Sequence, residues 1–171
     1  MAECTWHLAQ INIGKMLAAK GDPVVADFFA ALDRINALAD ASPGFVWRLQ
    51  DDGGDATGIS YSDDPLLLVN MSVWMDADAL FGFVYRSAHT PEMARRKEFF
   101  ERFDGHYQAL WWIPAGTIPT VNDGLSRLWL LDRMGPSRHA FTFKSQFPNP
   151  DAEMDSPPRD MQPDPWCSGR A

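Results

Sequence analysis

The stretch WHLAQINIG, residues 6–14, alternates between two sets of side chains. The odd positions from 7 to 13 carry His, Ala, Ile and Ile, and the even positions from 6 to 12 carry Trp, Leu, Gln and Asn. A period of two predicts a β-strand, which Gly14 ends. Two amides beside two large apolar residues on one strand face are unusual for a plain core, because buried amides need hydrogen-bond partners.

The rest of the chain supplies further segments of regular pattern. An apolar stripe at helical spacing predicts helices at 24–40, from Asp76 to about residue 88, and at 120–135. A further helical segment is predicted to begin at Thr90-Pro91 and to run to about Phe103. Strands are predicted at 45–50, 66–74, 107–114 and 139–147. The first six elements follow the split βαβ order, so we expect an α+β fold with a ferredoxin-like antiparallel sheet and helices on one face.

A sheet with helices on one face has a second face that also needs cover. Strand 66–74 is apolar at nearly every position, and the pair Trp111-Trp112 places an indole on each side of its strand. We therefore expect a second subunit to cover the other face, so that two sheets close into a dimeric α/β barrel.

Composition limits the partners and the domain count. The 171 residues suit one domain, 1–148, followed by a proline-rich tail, 149–171. The net charge of −8 argues against nucleic acid and anionic membranes as partners. Two cysteines near opposite ends, without metal-like spacing, are typical of free thiols in the cytosol.

Residues around FVYRSAHTPEMARRKEFF, 83–100, are the main candidates for chemistry. His89 precedes a helix start, where the dipole favours a neutral ring that could accept a proton or ligate a metal. Arg86 lies three positions earlier on the same helical face and could hold developing negative charge. Asn12 could orient a ligand. The alternatives are a packing role for His89, a surface ion pair for Arg86 and solvation at a sheet edge for Asn12.

Aromatic residues could line a pocket for a flat ligand, although most of them are expected in the core or at an interface. The candidates are Trp74, Phe81, Tyr85, Trp111 and Trp112. Arg95 and Arg96 are predicted to form a solvated, salt-bridged helix face with the neighbouring glutamates. The sequence has no zinc spacing, phosphate loop, dinucleotide fingerprint or nucleophile elbow.

The segments HLAQINIG, SPGFVWRLQ, SVW, FVYRSAHTPEMARRKEFF and LWWIPAGTIPTVNDGLSRLWLLDRMGPSRHAFTF resemble the domain-of-unknown-function family numbered 3291. Through it the chain is similar to the dimeric α/β-barrel superfamily of antibiotic-biosynthesis and haem-degrading monooxygenases. The resemblance implies a homodimer and a pocket between sheet and helices. It also implies roles for Asn12 and His89 that match a strand-one asparagine and a haem-ligating histidine, whereas the helix-two tryptophan of the haem-degrading members has no counterpart here.

Three functions stay open on this basis. The first is a cofactor-free, monooxygenase-like enzyme for an aromatic or polyketide-like small molecule, with His89, Arg86 and Asn12 as catalytic residues. The second is a haem-binding or haem-degrading protein with His89 as axial ligand. The third is a non-catalytic dimeric module that binds a metabolite.

Overall fold

The computed structural model describes residues 5–87 and 94–152. Its centre is an antiparallel four-stranded sheet in the order β2-β3-β1-β4. The strands are β1 (Trp6–Lys15), β2 (Phe45–Arg48), β3 (Leu67–Trp74) and β4 (Gln108–Pro114). This order is that of a ferredoxin-like sheet, so the predicted α+β fold class is confirmed.

Helices with bounds in the described residues are α1 (Ala26–Asp40), which a 3-10 turn Pro23–Val25 precedes, α2 (Ala77–Arg86), the single turn α3 (Arg96–Phe99) and α4 (Val121–Met134). Two predicted caps are confirmed. The Asp76 carboxylate accepts a hydrogen bond from Ala79 N at 2.8 Å, and Thr120 and Asp123 form a capping box. No helix in the described ranges is long and apolar enough to cross a membrane.

The register divides the sheet into two unlike faces. We call one the apolar face: its side chains at Ala9, Ile11, Ile13, Val69, Met71, Val73, Ala109, Trp111 and Ile113 are at most 9% exposed. His7, the cross-strand partner of Ile113, lies on this face near the start of β1 and is half-buried. We call the other the amide face: it carries Leu8, Gln10, Asn12, Asn70, Ser72, Trp74, Gln108, Leu110 and Trp112. The strand alternation seen in the sequence therefore separates two environments.

The apolar face is covered within the chain. Leu128 and Leu131 of α4 are buried against it, and Ile59 and Tyr61 from the loop between β2 and β3 pack on the same cluster. Helix α4 comes so close that a Cβ on Gly124 would lie 2.6 Å from Cδ1 of Ile11. Helix α4 and the loop therefore already cover this face within the chain, and the homodimer stays a prediction.

The first half of the amide face packs on α2. Leu80 and Val84 are buried against Leu8 and Trp74, and the Trp74 ring stacks on Phe83 with 5.1 Å between ring centroids. Both α1 and α2 therefore lie on the face where the split βαβ order places them. The second half of this face, from Gln10 to Gly14, meets the cavity described below.

Two predicted elements differ from the structure. Residues 139–147 do not form a strand: Phe141 exchanges two hydrogen bonds with Leu110, at 2.8 and 2.9 Å, but tight turns at 137–140 and 142–145 end the pairing on both sides. The segment expected to be helical to Phe103 stops at Phe99. Phe100 becomes extended because the chain pairs there with the end of β1, with Leu17 N donating to Phe99 O at 2.9 Å.

Candidate functional site

A cavity of about 170 Å³ lies between the second half of the amide face, α1, the end of α2 and the segment around α3. Its aromatic lining comes from Phe28, Tyr85, Phe99, Phe100 and Tyr107, and its amides are Asn12, Asn36, Asn70 and Gln108. Arg96 and Asp55 are its charged lining residues. Apolar walls with a few convergent polar groups are typical of small-molecule sites.

Three amides meet on the sheet at the floor of this cavity. Gln10 is only 5% exposed, and its Oε1 accepts from Asn12 Nδ2 at 3.4 Å and from Gln108 Nε2 at 3.5 Å. Both hydrogen bonds are long. The strand register nevertheless places the amide side chains side by side, because Gln108 on β4 and Asn70 on β3 are the cross-strand partners of Asn12. The polar side chains are therefore brought together by strand pairing.

The amide group continues into the core through a buried hydroxyl. Gln10 Nε2 donates to Ser72 Oγ at 3.0 Å, and the indole N–H of Trp74 donates to the same oxygen at 2.8 Å. Ser72 is 7% exposed and Trp74 is fully buried. A polar line therefore runs from the packed half of the amide face to the cavity, with a donor-only indole at its inner end.

Arg96 enters the cavity wall between two aromatic rings. Its guanidinium carbon lies 4.7 Å from the Phe100 ring centroid and 4.6 Å from that of Tyr107, and Nη2 donates to Ile13 O at 3.0 Å. The predicted salt-bridged face is confirmed for its neighbour Arg95, which pairs with Asp27 at 2.9 Å and Glu98 at 3.0 Å. Arg96 itself is half-buried at the cavity instead of fully solvated.

Gly14 permits this arrangement at the end of β1. A Cβ at this position would lie 2.7 Å from Cδ1 of Phe100 and 3.1 Å from Nη2 of Arg96. Such distances are shorter than ordinary van der Waals contact, so the glycine lets the arginine and the phenylalanine approach the strand. From the sequence alone, Gly14 is predicted only to end the first strand.

The Asp55 carboxylate forms part of the cavity rim in the loop between β2 and β3. Its Oδ1 accepts from the backbone N and the Oγ1 of Thr57, at 2.7 and 2.6 Å. Burial acts to raise the pKa of Asp55, but the two bonds from Thr57 and the charges of Lys20 and Arg48 outweigh it. The pKa is therefore lowered from its ordinary value of 3.8.

The structure brings two of the predicted site residues to the cavity. Asn12 and Tyr85 line it. Arg86 stacks over the Phe81 ring, at 5.2 Å from the centroid, and is not part of the lining. His89 lies outside the described residues, so its expected role stays a prediction.

The other predicted aromatic residues lie elsewhere. Trp74 is buried beside α2, Phe81 packs against Tyr85 at 4.7 Å, and Trp112 donates its indole N–H to Phe147 O at 2.9 Å. Trp111 is 1% exposed on the apolar face. Of the five predicted aromatic residues, only Tyr85 contacts the cavity directly.

Sequence reasoning missed several residues of the lining. Gln108 and Asn70 join Asn12 through strand pairing, and a register derived from the ferredoxin-like order could have found them. Arg96, Phe100 and Tyr107 converge because the chain after α3 pairs with the end of β1. No local sequence pattern signals that pairing.

The described lining gives no support for a metal or haem site. It contains no histidine, cysteine or methionine, and the described residues hold no group of three or more His, Cys, Asp or Glu side chains that could bind a metal ion. The expected axial ligand, His89, is not among the described residues. The haem alternative thus depends on that residue alone.

The family of the chain is shown by its sequence. The profile of the family described as Domain of unknown function (DUF3291) matches residues 7–157, and the chain belongs to this family. The family resemblance predicted above is thereby confirmed. No curated protein matches the chain.

Solved structures offer distant similarities. An asparagine-to-alanine variant of SnoaB, a cofactor-independent oxygenase from Streptomyces nogalater, is 18% identical with a TM-score of 0.43, over 66% of this chain and 95% of that chain. NE2512, a protein of unknown function from Nitrosomonas europaea, is 13% identical with a TM-score of 0.42, over 68% and 97%. PA3566 from Pseudomonas aeruginosa is 15% identical with a TM-score of 0.43, over 69% and 100%. At these values the similarities carry no argument about function.

Proposed function

We propose that this chain binds a small aromatic molecule with a polar substituent in the cavity between the amide face and helices α1 and α2. The observation that carries the proposal is the combination of aromatic walls with an amide floor. Flat apolar rings gain from contact with Phe28, Phe99 and Tyr107, and the amides of Asn12 and Gln108 supply directional hydrogen bonds.

Arg96 shapes the kind of ligand that this cavity accepts. Its guanidinium lies close to two rings and donates to Ile13 O, so it adds positive charge to the wall and has little side-chain freedom to lose on binding. Asp55 supplies negative charge at the rim. A neutral ligand, or one with partial negative charge on the Arg96 side, therefore suits the site better than a cation.

The experiment is a titration with 2-naphthol, followed by the change in tryptophan fluorescence or by calorimetry. Ala31 lines the cavity, and Ala30 beside it on α1 is exposed, so Ala31→Phe and Ala30→Phe are a matched pair. We expect Ala31→Phe to abolish binding and Ala30→Phe to bind as the wild type does. Equal binding by both variants would place the ligand elsewhere and contradict the proposal.

A second candidate is oxidation of the bound aromatic by dioxygen without a cofactor, as the resemblance to monooxygenases implies. The favouring observation is that Asn12, the expected orienting residue, lines the cavity. In this proposal His89 takes the substrate proton, whereas Arg86, the predicted stabiliser of negative charge, lies outside the lining. Oxygen uptake with 1,3-dihydroxynaphthalene that Ala31→Phe and His89→Ala each reduce, and that Arg86→Ala leaves unchanged, would support it. Uptake equal to the protein-free rate would leave a binding module.

The haem alternative and the homodimer stay proposals from the resemblance, each with a direct test. Haem ligation by His89 predicts a saturable Soret band that His89→Ala removes. The homodimer predicts twice the chain mass of 19.2 kDa by light scattering at micromolar concentration. A monomeric mass would agree with an apolar face that the chain covers by itself.

A further inference from the structure

The polar line below the cavity begins at one indole and has a direction. Trp74 Nε1 can only donate, so Ser72 Oγ receives that hydrogen bond as an acceptor. Ser72 Oγ also accepts from Gln10 Nε2 at 3.0 Å, so the amide nitrogen of Gln10 faces the core. The reverse arrangement, in which Ser72 donates its hydroxyl hydrogen to Gln10 Oε1, is the alternative that the experiment below tests.

The orientation of Gln10 sets the orientation of its two neighbours. With its nitrogen toward Ser72, its Oε1 faces the cavity side and accepts from Asn12 Nδ2 and Gln108 Nε2. Each of those amides donates one N–H inward, so its carbonyl oxygen and its second N–H are the groups left over along the line. Amide orientation is in general assigned from such networks.

We propose that the Trp74–Ser72–Gln10 line is a positioning device that turns the carbonyl oxygens of Asn12 and Gln108 toward the cavity, so that a ligand with a hydroxyl or N–H donor is preferred over one that can only accept. This inference rests on the proposed function and narrows its ligand class. Gln10, Ser72 and Trp74 act through the two lining amides and touch no ligand themselves. Their burial, at 5%, 7% and 0% exposed, keeps water from competing for the line.

The test measures ligand preference instead of affinity alone. The probes are 2-naphthol, a donor; 2-fluoronaphthalene, which has similar size without a donor; and quinoline, which only accepts. For the wild type we expect 2-naphthol to bind roughly threefold to tenfold more tightly than 2-fluoronaphthalene, as one net hydrogen bond allows. Quinoline, which can only accept from the second N–H of a lining amide, should bind less tightly than 2-naphthol.

Variants separate positioning from folding. Ser72→Ala should bring the ratio of 2-naphthol to 2-fluoronaphthalene affinity toward one, because Gln10 loses the acceptor that holds its nitrogen inward. Trp74→Phe, which removes the indole N–H, should lower the ratio too and serves if Ser72→Ala does not fold. The matched control is Ser126→Ala on the exposed side of α4, which should keep the wild-type ratio.

Three results would overturn the inference. If Ser72 donates its hydroxyl hydrogen to Gln10 instead, all three amides turn around, the lining amides present their N–H groups to the cavity, and quinoline binds at least as tightly as 2-naphthol. If 2-fluoronaphthalene binds the cavity as tightly as 2-naphthol, the floor has no preference, and the inference fails while the proposed binding function stands. If none of the three probes binds, the proposed function fails and the inference fails with it.

Discussion

The two faces of this sheet are built from the same strands, yet one is closed by packing and the other borders a cavity. The apolar face is closed by α4 and by the loop between β2 and β3, and its buried side chains are apolar, with the half-buried His7 near the start of β1. The amide face is packed at one end around Trp74 and opens at the other end onto a cavity with amides and an arginine. A strand of alternating sequence thus carries stability on one side and the proposed binding cavity on the other.

The largest expected effect contrasts neighbouring residues of β1 that point to opposite faces. Ile11→Ala leaves a void in the apolar face and should lower the free energy of unfolding by about 2–5 kcal/mol. Asn12→Ala should change it by less than about 1 kcal/mol but weaken 2-naphthol binding roughly tenfold. Denaturant unfolding and ligand titration measure both quantities. The division between the faces would be refuted if Asn12→Ala were the more destabilising change.

A pair of helical glycines tests how closely α4 approaches the sheet. Gly124→Ala places a methyl group 2.6 Å from Ile11 Cδ1 and should destabilise the fold by about 1–3 kcal/mol. Gly82→Ala in α2 meets no atom within 4 Å and should stabilise it by about 0.5–1 kcal/mol, since alanine is the better helix former. Changes of the same sign would mean that α4 is not seated on the apolar face.

Arg96 tests the wall of the cavity. Arg96→Lys loses the planar group between Phe100 and Tyr107 and should cost about 1 kcal/mol of stability, with a several-fold loss of 2-naphthol affinity. Arg95→Lys, on the same helical turn but outside the lining, is the control and should bind normally. An Arg96 on a solvated surface, as the sequence alone suggests, would show no difference between the two variants.

The smallest expected effect is a change in how stability depends on pH in acid. Because the pKa of Asp55 is lowered in the folded protein, its contribution to stability is present above the ordinary value of 3.8 and is lost as the pH falls through the lowered pKa. Between about pH 5 and pH 3, the stability of Asp55→Asn should therefore fall less steeply than that of the wild type.

Other carboxylates contribute to the acid dependence in both proteins. The backbone hydrogen bond from Leu66 and the ion pair with Lys15 lower the pKa of Asp64, and the bonds from Thr120 lower that of Asp123. Their share should remain in Asp55→Asn, so that only part of the slope disappears. Asp63→Asn, at an exposed position of the same loop, is the control. Equal slopes for the wild type and Asp55→Asn would contradict the assignment.

Much of the fold could be predicted because its signals are local. The alternation of residues 6–14 and the capping residues Asp76 and Thr120 each act within a few positions. The strand predicted at residues 139–147 was wrong. The apolar alternation of this segment suits a strand, but the hydrogen bonds between Ser137 and Ala140 and between Thr142 and Ser145 close turns instead.

The site was predicted only in part, because it depends on long-range contacts. Asn12 could be proposed from the odd mixture on one strand face, and Tyr85 from its aromatic side chain. Arg96 could not, since its partners Ile13 and Tyr107 lie far from it in the sequence. The cover of the apolar face was missed for the same reason: nothing local shows where α4 packs.

The most direct test of the division between the faces is an NMR titration of the side-chain amides with 2-naphthol. The account predicts that the amide signals of Asn12, Gln10 and Gln108 shift and saturate together, while the backbone signals of α4 stay in place. Shifts confined to the exposed side of α4 around Trp129, with the three amides unchanged, would show that the amide face is not a binding site.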